Sequence, residues 1–283
     1  MLAAGLIPQG VAGDASQVVA GARGGSVLPP RFRWTAGQNL MYKLRQRTVV
    51  EETYLDEQRR QQQRHTFNDL QLTRQWTVQA VDANGIATLQ MQIVQVRSEW
   101  RRDNDEPVIR DSNQTEHARE MASFLNRPIV NLRLDALGRL VEVKEAVGSS
   151  AQRLEAELPF RLVLPEGKWE AGQSWQRAVK VKVEPPLGVG DSYWLEQKYT
   201  LGRQEGTIAT IEVTTRWREA PPLAEQPAVL PFLWQGEIYF DLELGQYAGA
   251  RLRIEQDLRD HAGPGSRYSY RSTLQEERLR PDR

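Results

Sequence analysis

From Leu40 the chain alternates apolar and polar side chains through Tyr42 and Leu44, and does so again through Leu70, Leu72, Trp76, Val78 and Ala80. A two-residue period marks a strand with one face turned to a core. Asp82-Ala-Asn84-Gly85 interrupts the second run with a dipeptide that supplies the positive φ angles a tight hairpin needs, and Ala87, Leu89, Met91 and Ile93 resume on one face. Further along, Trp175, Val179, Val181 and Val183 predict one strand, Tyr193 to Arg203 a second, and Ala209, Ile211, Val213, Thr215 and Trp217 a third. Ile238, Phe240, Leu242 and Leu244, then Leu252 and Ile254, continue the series, and Arg267 to Leu279 closes it. Runs of about 10 to 15 residues predict strands of roughly 33 to 50 Å at ~3.3 Å per residue. Right-handed twist accumulated over that length predicts strongly curved, half-barrel-like sheets whose apolar side needs a cover.

Two short helices are predicted as that cover. One runs from Asn113 to about Leu125, with Asn113 and Glu116 as a capping pair, Ala118, Met121, Ala122 and Leu125 on one face, and Pro128 as a stop. The other starts at Ser149, groups Ala151, Leu154 and Leu158, and ends before Pro159. The stretch Pro221 to Phe232 carries four prolines and predicts a broken helix or loop.

The pattern also repeats. Trp34-Thr-Ala-Gly37-Gln38 returns as Trp169-Glu-Ala-Gly172-Gln173, Asn84-Gly85-Ile86 is echoed by Glu205-Gly206-Thr207, and Leu137-Gly138-Arg139 by Ala248-Gly249-Ala250. Three echoes in one order predict a duplicated β-rich unit whose second copy has shorter loops. The expected fold is therefore mainly β: two homologous antiparallel, strongly curved sheets with one or two short helices. The expected organisation is a lead-in over residues 1–30, a first β repeat over 31–148, a helical linker over 149–165 and a second repeat over 166–283.

Composition narrows the function classes. The 37 basic and 37 acidic side chains cancel, so no global field draws the chain to nucleic acid or to an anionic membrane. Arg59, Arg60 and Arg64 cluster, yet Glu51, Glu52, Asp56 and Glu57 accompany them, which reads as a solvated hairpin end. There is no cysteine, hence no disulfide, thiolate or cysteine zinc site. No run approaches the ~20 apolar residues of a membrane-spanning helix. The apolar run Met1 to Ile7, the small residues Val11-Ala-Gly13 and the following Gly/Ala/Ser-rich stretch to Pro30 read as the tail of an export signal plus a flexible lead-in. An extracytoplasmic location, periplasmic or secreted, is expected.

Chemistry-bearing constellations are scarce. His65, His117 and His261 lie far apart without ligand spacing, and the usual nucleophile, phosphate-loop and metalloprotease signatures are missing, so no metal, cofactor or catalytic residue is expected. Asp103, Asn104, Asp105, Glu106 and Asp111 lack the glycine and distal glutamate of a calcium loop and read as a hairpin tip. Glu51 and Glu52 are strand neighbours pointing to opposite faces, so they do not make an acid–base pair. Eight tryptophans are the one notable excess. Most are expected to fill the core; Tyr42, Trp76, Trp194 and Trp217 are the candidates for lining a ligand groove, because they are read on the apolar phase of long strands.

The order of Gly37-Gln38 with Tyr42, Trp76 to Asp82 running into Asn84-Gly85, Leu132 to Asp135 with Gly138, Gly190-Asp191-Ser192 and Gly206 to Thr210 resembles a family of uncharacterised exported bacterial proteins, over residues 31 to 280. The resemblance implies export and β architecture; its motifs are turns and strand starts, and it transfers no catalytic or binding residue. The expected function is a non-catalytic extracytoplasmic binding or envelope-associated interaction protein whose partner is an envelope protein, a glycan or a lipid. A carrier of apolar ligand in a curved-sheet groove and an envelope-polymer hydrolase are the alternatives.

Overall fold

The computed structural model describes residues 29–146, 162–167, 169–183 and 190–279. Twelve strands form a single antiparallel sheet: β1 (Asn39–Leu55), β2 (Gln61–Val81), β3 (Ala87–Arg102), β4 (Val108–Asp111), β5 (Pro128–Leu134), β6 (Leu140–Ala146), β7 (Ser174–Lys182), β8 (Ser192–Glu205), β9 (Ile208–Trp217), β10 (Gln235–Asp241), β11 (Gln246–Arg259) and β12 (Arg267–Leu279). Their order is β6-β5-β3-β2-β1-β12-β11-β10-β9-β8-β7, with β4 paired to β3 off this path. The chain starts in the middle, works outward to one edge, then begins again at the opposite edge and returns to the middle.

Two homologous, strongly curved sheets were expected, either joined as halves of one sheet or set as two lobes; the structure has one continuous sheet, and it is neither closed nor strongly curled. The reason lies at its centre. β1 gives one edge to β2, from Asn39↔Thr77 to Leu55↔Gln61. Its other edge would expose a row of unpaired N–H and C=O groups along 17 residues. β12 fills that edge from Met41↔Leu279 to Thr53↔Arg267 and fuses the halves.

One Asp-capped turn recurs at the hairpins. Asp82 donates its N–H to Ile86 O and receives the Asn84 and Ile86 N–H groups on Oδ1, while Gly85 takes φ 77°. Asp135 does the same with Leu137 and Arg139 around Gly138, and Asp56 with Gln58 and Arg60 around Arg59, which accepts φ 61° without being glycine.

The first echo has a structural counterpart. Gly37 and Gly172 both take φ 81°. Gly37 N–H donates to Val78 O at 2.8 Å and Gly172 N–H to Leu201 O at 2.8 Å, and each following glutamine donates its N–H three residues back. Gly85 and Gly206 both sit in hairpin turns, the latter between Glu205 and Ile208. The third echo fails: Gly138 lies in the β5–β6 turn, whereas Gly249 lies inside β11, where the register with β10 shifts between Tyr239 and Phe240. Two homologous units are thus not shown.

The inner face of the sheet carries one core shared by both halves, including Leu40 and Tyr42 of β1, Leu89 of β3, Leu132 of β5, Tyr199 of β8 and Phe240 of β10. Irregular segments cover it. Phe32, Leu162, Leu164, Val229, Leu230, Leu233 and Trp234 belong to the same buried cluster. Phe32 N–H bonds Ala136 O and Arg33 N–H bonds Gly245 O, so this strap ties the β5–β6 turn to the β10–β11 turn. Leu164 N–H donates to Leu137 O, and the Trp175 indole donates to Val163 O at 2.7 Å.

The helix expected from Asn113 to Leu125 is shorter, Thr115–Glu120, and its N-cap is Gln114 with no side-chain cap bond. Asn113 is instead drawn back to Asp111, whose Oδ1 accepts its N–H. Only Met121 of the expected apolar face is buried. The segment serves an edge rather than a face: β5 pairs Ala87–Gln92 of β3, Leu125 and Asn126 meet Ile93, Ser112 meets Val96, and β4 pairs Arg97–Trp100. Pro221–Phe232 forms the expected broken helix: a 3₁₀ turn Leu223–Glu225, one α turn Gln226–Val229 and a 3₁₀ turn Leu230–Phe232. The helix expected from Ser149 to Leu158 and the lead-in up to residue 28 lie outside the described residues.

Candidate functional site

The four aromatic candidates do not line one surface. Tyr42 and Trp76 are 0% and 2% exposed, deep in the core. Trp217 packs against that core and pairs with Leu195. Trp194 points to the other face, because Leu195, Gln197, Tyr199 and Leu201 hold the buried phase of β8, and Trp194 is 48% exposed.

Tyr42 anchors a polar network within the apolar core. Its hydroxyl donates to Tyr247 O at 3.0 Å; the Tyr247 hydroxyl donates to Glu276 Oε2 at 2.7 Å; and Arg74 Nη2 lies 2.5 Å from Glu276 Oε1. Burial, then the nearby Glu276 charge, pushes both phenols well above their ordinary range, so they stay protonated donors. A buried carboxylate needs such partners: the guanidinium supplies charge and the phenol a hydrogen bond. This arrangement joins β1, β2, β11 and β12 at the point where the two halves fuse.

Beyond this network the inner face changes character. Leu40, Tyr42 and Leu44 are buried, but the next inner positions of β1, Gln46, Thr48, Val50, Glu52 and Tyr54, are only half covered. In register with them stand Leu70, Asn68, Thr66 and Arg64 of β2 and Leu274, Ser272, Tyr270 and Tyr268 of β12. Trp100 of β3, opposite Asn68, is 43% exposed. Hydroxyl and amide groups therefore alternate with apolar ones, and Thr48 Oγ1 meets Ser272 Oγ at 2.8 Å.

A cleft of about 930 Å³ lies at the strand tips; Glu51, Thr53, Gln63, His65, Arg267 and Ser269 line it from the outer phase of their strands, and Glu52 and Arg64 border it. Glu52 accepts from Arg64 at 3.3 Å and faces His261 Nε2 at 3.3 Å. Arg64 also lies over the Tyr54 ring, 5.2 Å from its centre. The Tyr268 ring lies tilted against His261, 5.4 Å between centres, and burial first, then Tyr270 and Glu52, raises its hydroxyl to about 12. His261 is 7% exposed, and among the described residues its Nδ1 has no hydrogen-bond partner. A carboxylate held between a guanidinium and an imidazole acts as a clasp between the β11–β12 turn and the β1–β2 hairpin. Glu51 turns away from it toward Arg271, as strand alternation requires.

The remaining sequence candidates scatter. His65 donates its backbone N–H to Asp103 Oδ1, and His117 Nδ1 receives the Asp111 N–H. Asp111 lies on β4 beside Arg97, apart from the Asp103 tip. Among the described residues no group of three His, Cys, Asp or Glu side chains is placed to hold a metal ion, and no helix is long and apolar enough to cross a membrane. Trp100 and the Arg64–Glu52–His261 clasp were missed in the sequence. The alternation of β1 past Leu44 was the available signal: its inner positions turn from apolar to mixed.

Comparison with protein families finds no match, and neither does comparison with curated protein sequences. Among solved structures, one similar chain is that of a study of lipid–protein interactions in lipovitellin: 11% identity, 89% of this chain and 26% of that chain covered, TM-score 0.46. This chain thus spans about a quarter of that one. Another is DynF from the dynemicin biosynthesis pathway of Micromonospora chersina: 10% identity, 93% of each chain, TM-score 0.19. TM-scores of this size do not establish a shared fold, and neither likeness bears on function.

Proposed function

We propose that the chain is a non-catalytic binding protein acting outside the cytoplasm, and that its ligand lies on the inner face of β1 and β2 beyond Leu44. The observation that carries this reading is the change along β1 from filled core to half-covered surface at Gln46. The mixed surface suits an amphipathic ligand: Val50, Leu70 and Trp100 meet its apolar body, and Thr48, Asn68 and the clasp at Glu52 its polar end. Export is supported by the leader-like start of the sequence. The paired turns at Gly37 and Gly172 support descent of the halves from one copied unit.

The carrier of apolar ligand is a second reading, favoured by the half-covered Val50, Leu70 and Leu72 beside the exposed Trp100. Titration of the protein with a lysophospholipid and with a long-chain fatty acid, followed by tryptophan fluorescence, tests both. A saturable blue shift that disappears in Trp100→Phe supports an inner-face site. Absence of any shift with either amphiphile overturns it.

A further inference from the structure

We propose that the opposite, outer face carries a second site, a platform for a pyranose sugar centred on Trp194. The indole has two different flanks. Lys180, its register partner on β7, holds Nζ 6.0 Å from the ring centre. On the β9 side lies a cavity of about 550 Å³ bounded by Trp194, Tyr193, Ser192, Arg218, Glu219 and Pro222. With one flank occupied by the ammonium, a ligand stacks on the indole from the cavity.

The far wall is fixed before any ligand arrives. Arg218 N–H donates to Trp194 O at 3.0 Å, carrying the β8–β9 pairing one residue past Trp217. Pro222 O accepts from Glu225 N–H and Gln226 N–H, the Gln226 side chain donates to Pro221 O at 3.0 Å, and Pro221 is buried. Two prolines tied at both carbonyls lose little freedom on binding, which favours recognition by a preformed surface.

The lining chemistry selects the ligand. A pyranose presents a flat C–H face to an aromatic ring and a rim of hydroxyls that need both donors and acceptors. Trp194 offers the ring; Arg218 donates, Glu219 accepts and Ser192 does both. Among the described residues neither Arg218 nor Glu219 makes an ion pair, and both are exposed. An acyl chain would strand their charges, and a phosphate would meet the Glu219 carboxylate along with Arg218. The ligand class is therefore a neutral glycan with an uninterrupted C–H face, such as a β-linked glucose or N-acetylglucosamine oligomer. The site is independent of the inner-face reading, since Trp194 and Trp100 stand on opposite faces and report separately.

The test is isothermal titration of the whole chain with cellotetraose and with chitotetraose, repeated on Trp194→Ala, Glu219→Gln and Trp100→Ala after circular dichroism has confirmed the fold of each. The expected result is saturable binding of at least one oligosaccharide, weakened tenfold or more by Trp194→Ala, weakened severalfold by Glu219→Gln and unchanged by Trp100→Ala. No binding of either sugar, equal binding by folded Trp194→Ala, or loss through Trp100→Ala alone overturns the proposal. Failure here leaves the amphiphile titration standing, and the reverse also holds.

Discussion

The hydroxyl of Tyr247, on β11, donates to Oε2 of Glu276, on β12, at 2.7 Å, in a site where both residues are almost fully buried. The same carboxylate holds Arg74 of β2 with its other oxygen. Tyr247→Phe removes one hydrogen bond to a charged group and is expected to cost about 1.5–3 kcal/mol in urea unfolding. Glu276→Ala leaves a mostly buried guanidinium without its counter-charge and is expected to cost about 3–5 kcal/mol. A double-mutant cycle should return less than the sum of the two, because both changes break one network.

Gly37→Ala and Gly172→Ala should cost alike. Both positions take φ 81° and a Cβ there meets nothing within 4 Å, so the penalty is backbone strain alone, about 1–2 kcal/mol each and additive. Gly138→Ala adds collision: its Cβ would lie 2.4 Å from Leu162 O and 2.6 Å from Phe32 Cε2. Equilibrium denaturation should place its loss clearly above the other two.

Asp69 supplies the pH dependence. Its carboxylate sits on the outer face between Arg45 and Arg47, at 2.5 and 2.9 Å, and the Arg45 hydrogen bond, with help from Arg47, holds it below the usual carboxylate range. A lowered folded-state value means stability that is present above the unfolded value of about 4 and fades as pH falls through the folded one. Asp69→Asn is therefore expected to cost about 1–2 kcal/mol at pH 7, discounted for the half-exposed arginines, and to approach neutrality near pH 2. Urea midpoints across that pH range check it.

Phe32 is the keystone of the strap. It stacks on Trp34 with ring centres 5.0 Å apart and meets Phe240 edge-on at 5.2 Å. Phe32→Ala should cost about 3–5 kcal/mol. Limited proteolysis should then cut near residues 29–38 faster than in the unaltered chain, since the segment loses its buried anchor.

How much of this was readable beforehand depended on distance along the chain. The two-residue period located the long strands, Asn84-Gly85 located its hairpin, and four prolines foretold the broken helix. Each is a local property. The pairing of Met41 with Leu279 leaves no local trace, so whether the two halves join, as they do through β1 and β12, was not legible. Trp194 was placed on the apolar phase, but β8 has aromatic residues on both phases, and Leu195, Gln197 and Tyr199 decide which one is buried. Gln197, fully buried, shows why hydrophobicity alone misread that strand: it is accommodated by the Tyr199 hydroxyl and Arg177. Gly249 matched Gly138 as a residue type, although one relieves a strand irregularity and the other makes a turn.

The seam between β1 and β12 has a consequence for biogenesis. During synthesis the ribosome delivers β1 more than two hundred residues ahead of the strand that must lie against it, and Tyr42 waits equally long for Tyr247. The nascent first half thus carries an adhesive open border for many seconds at ordinary elongation rates of roughly 5 to 20 residues per second. Such a border invites sticking to other nascent chains until β12 emerges and covers it.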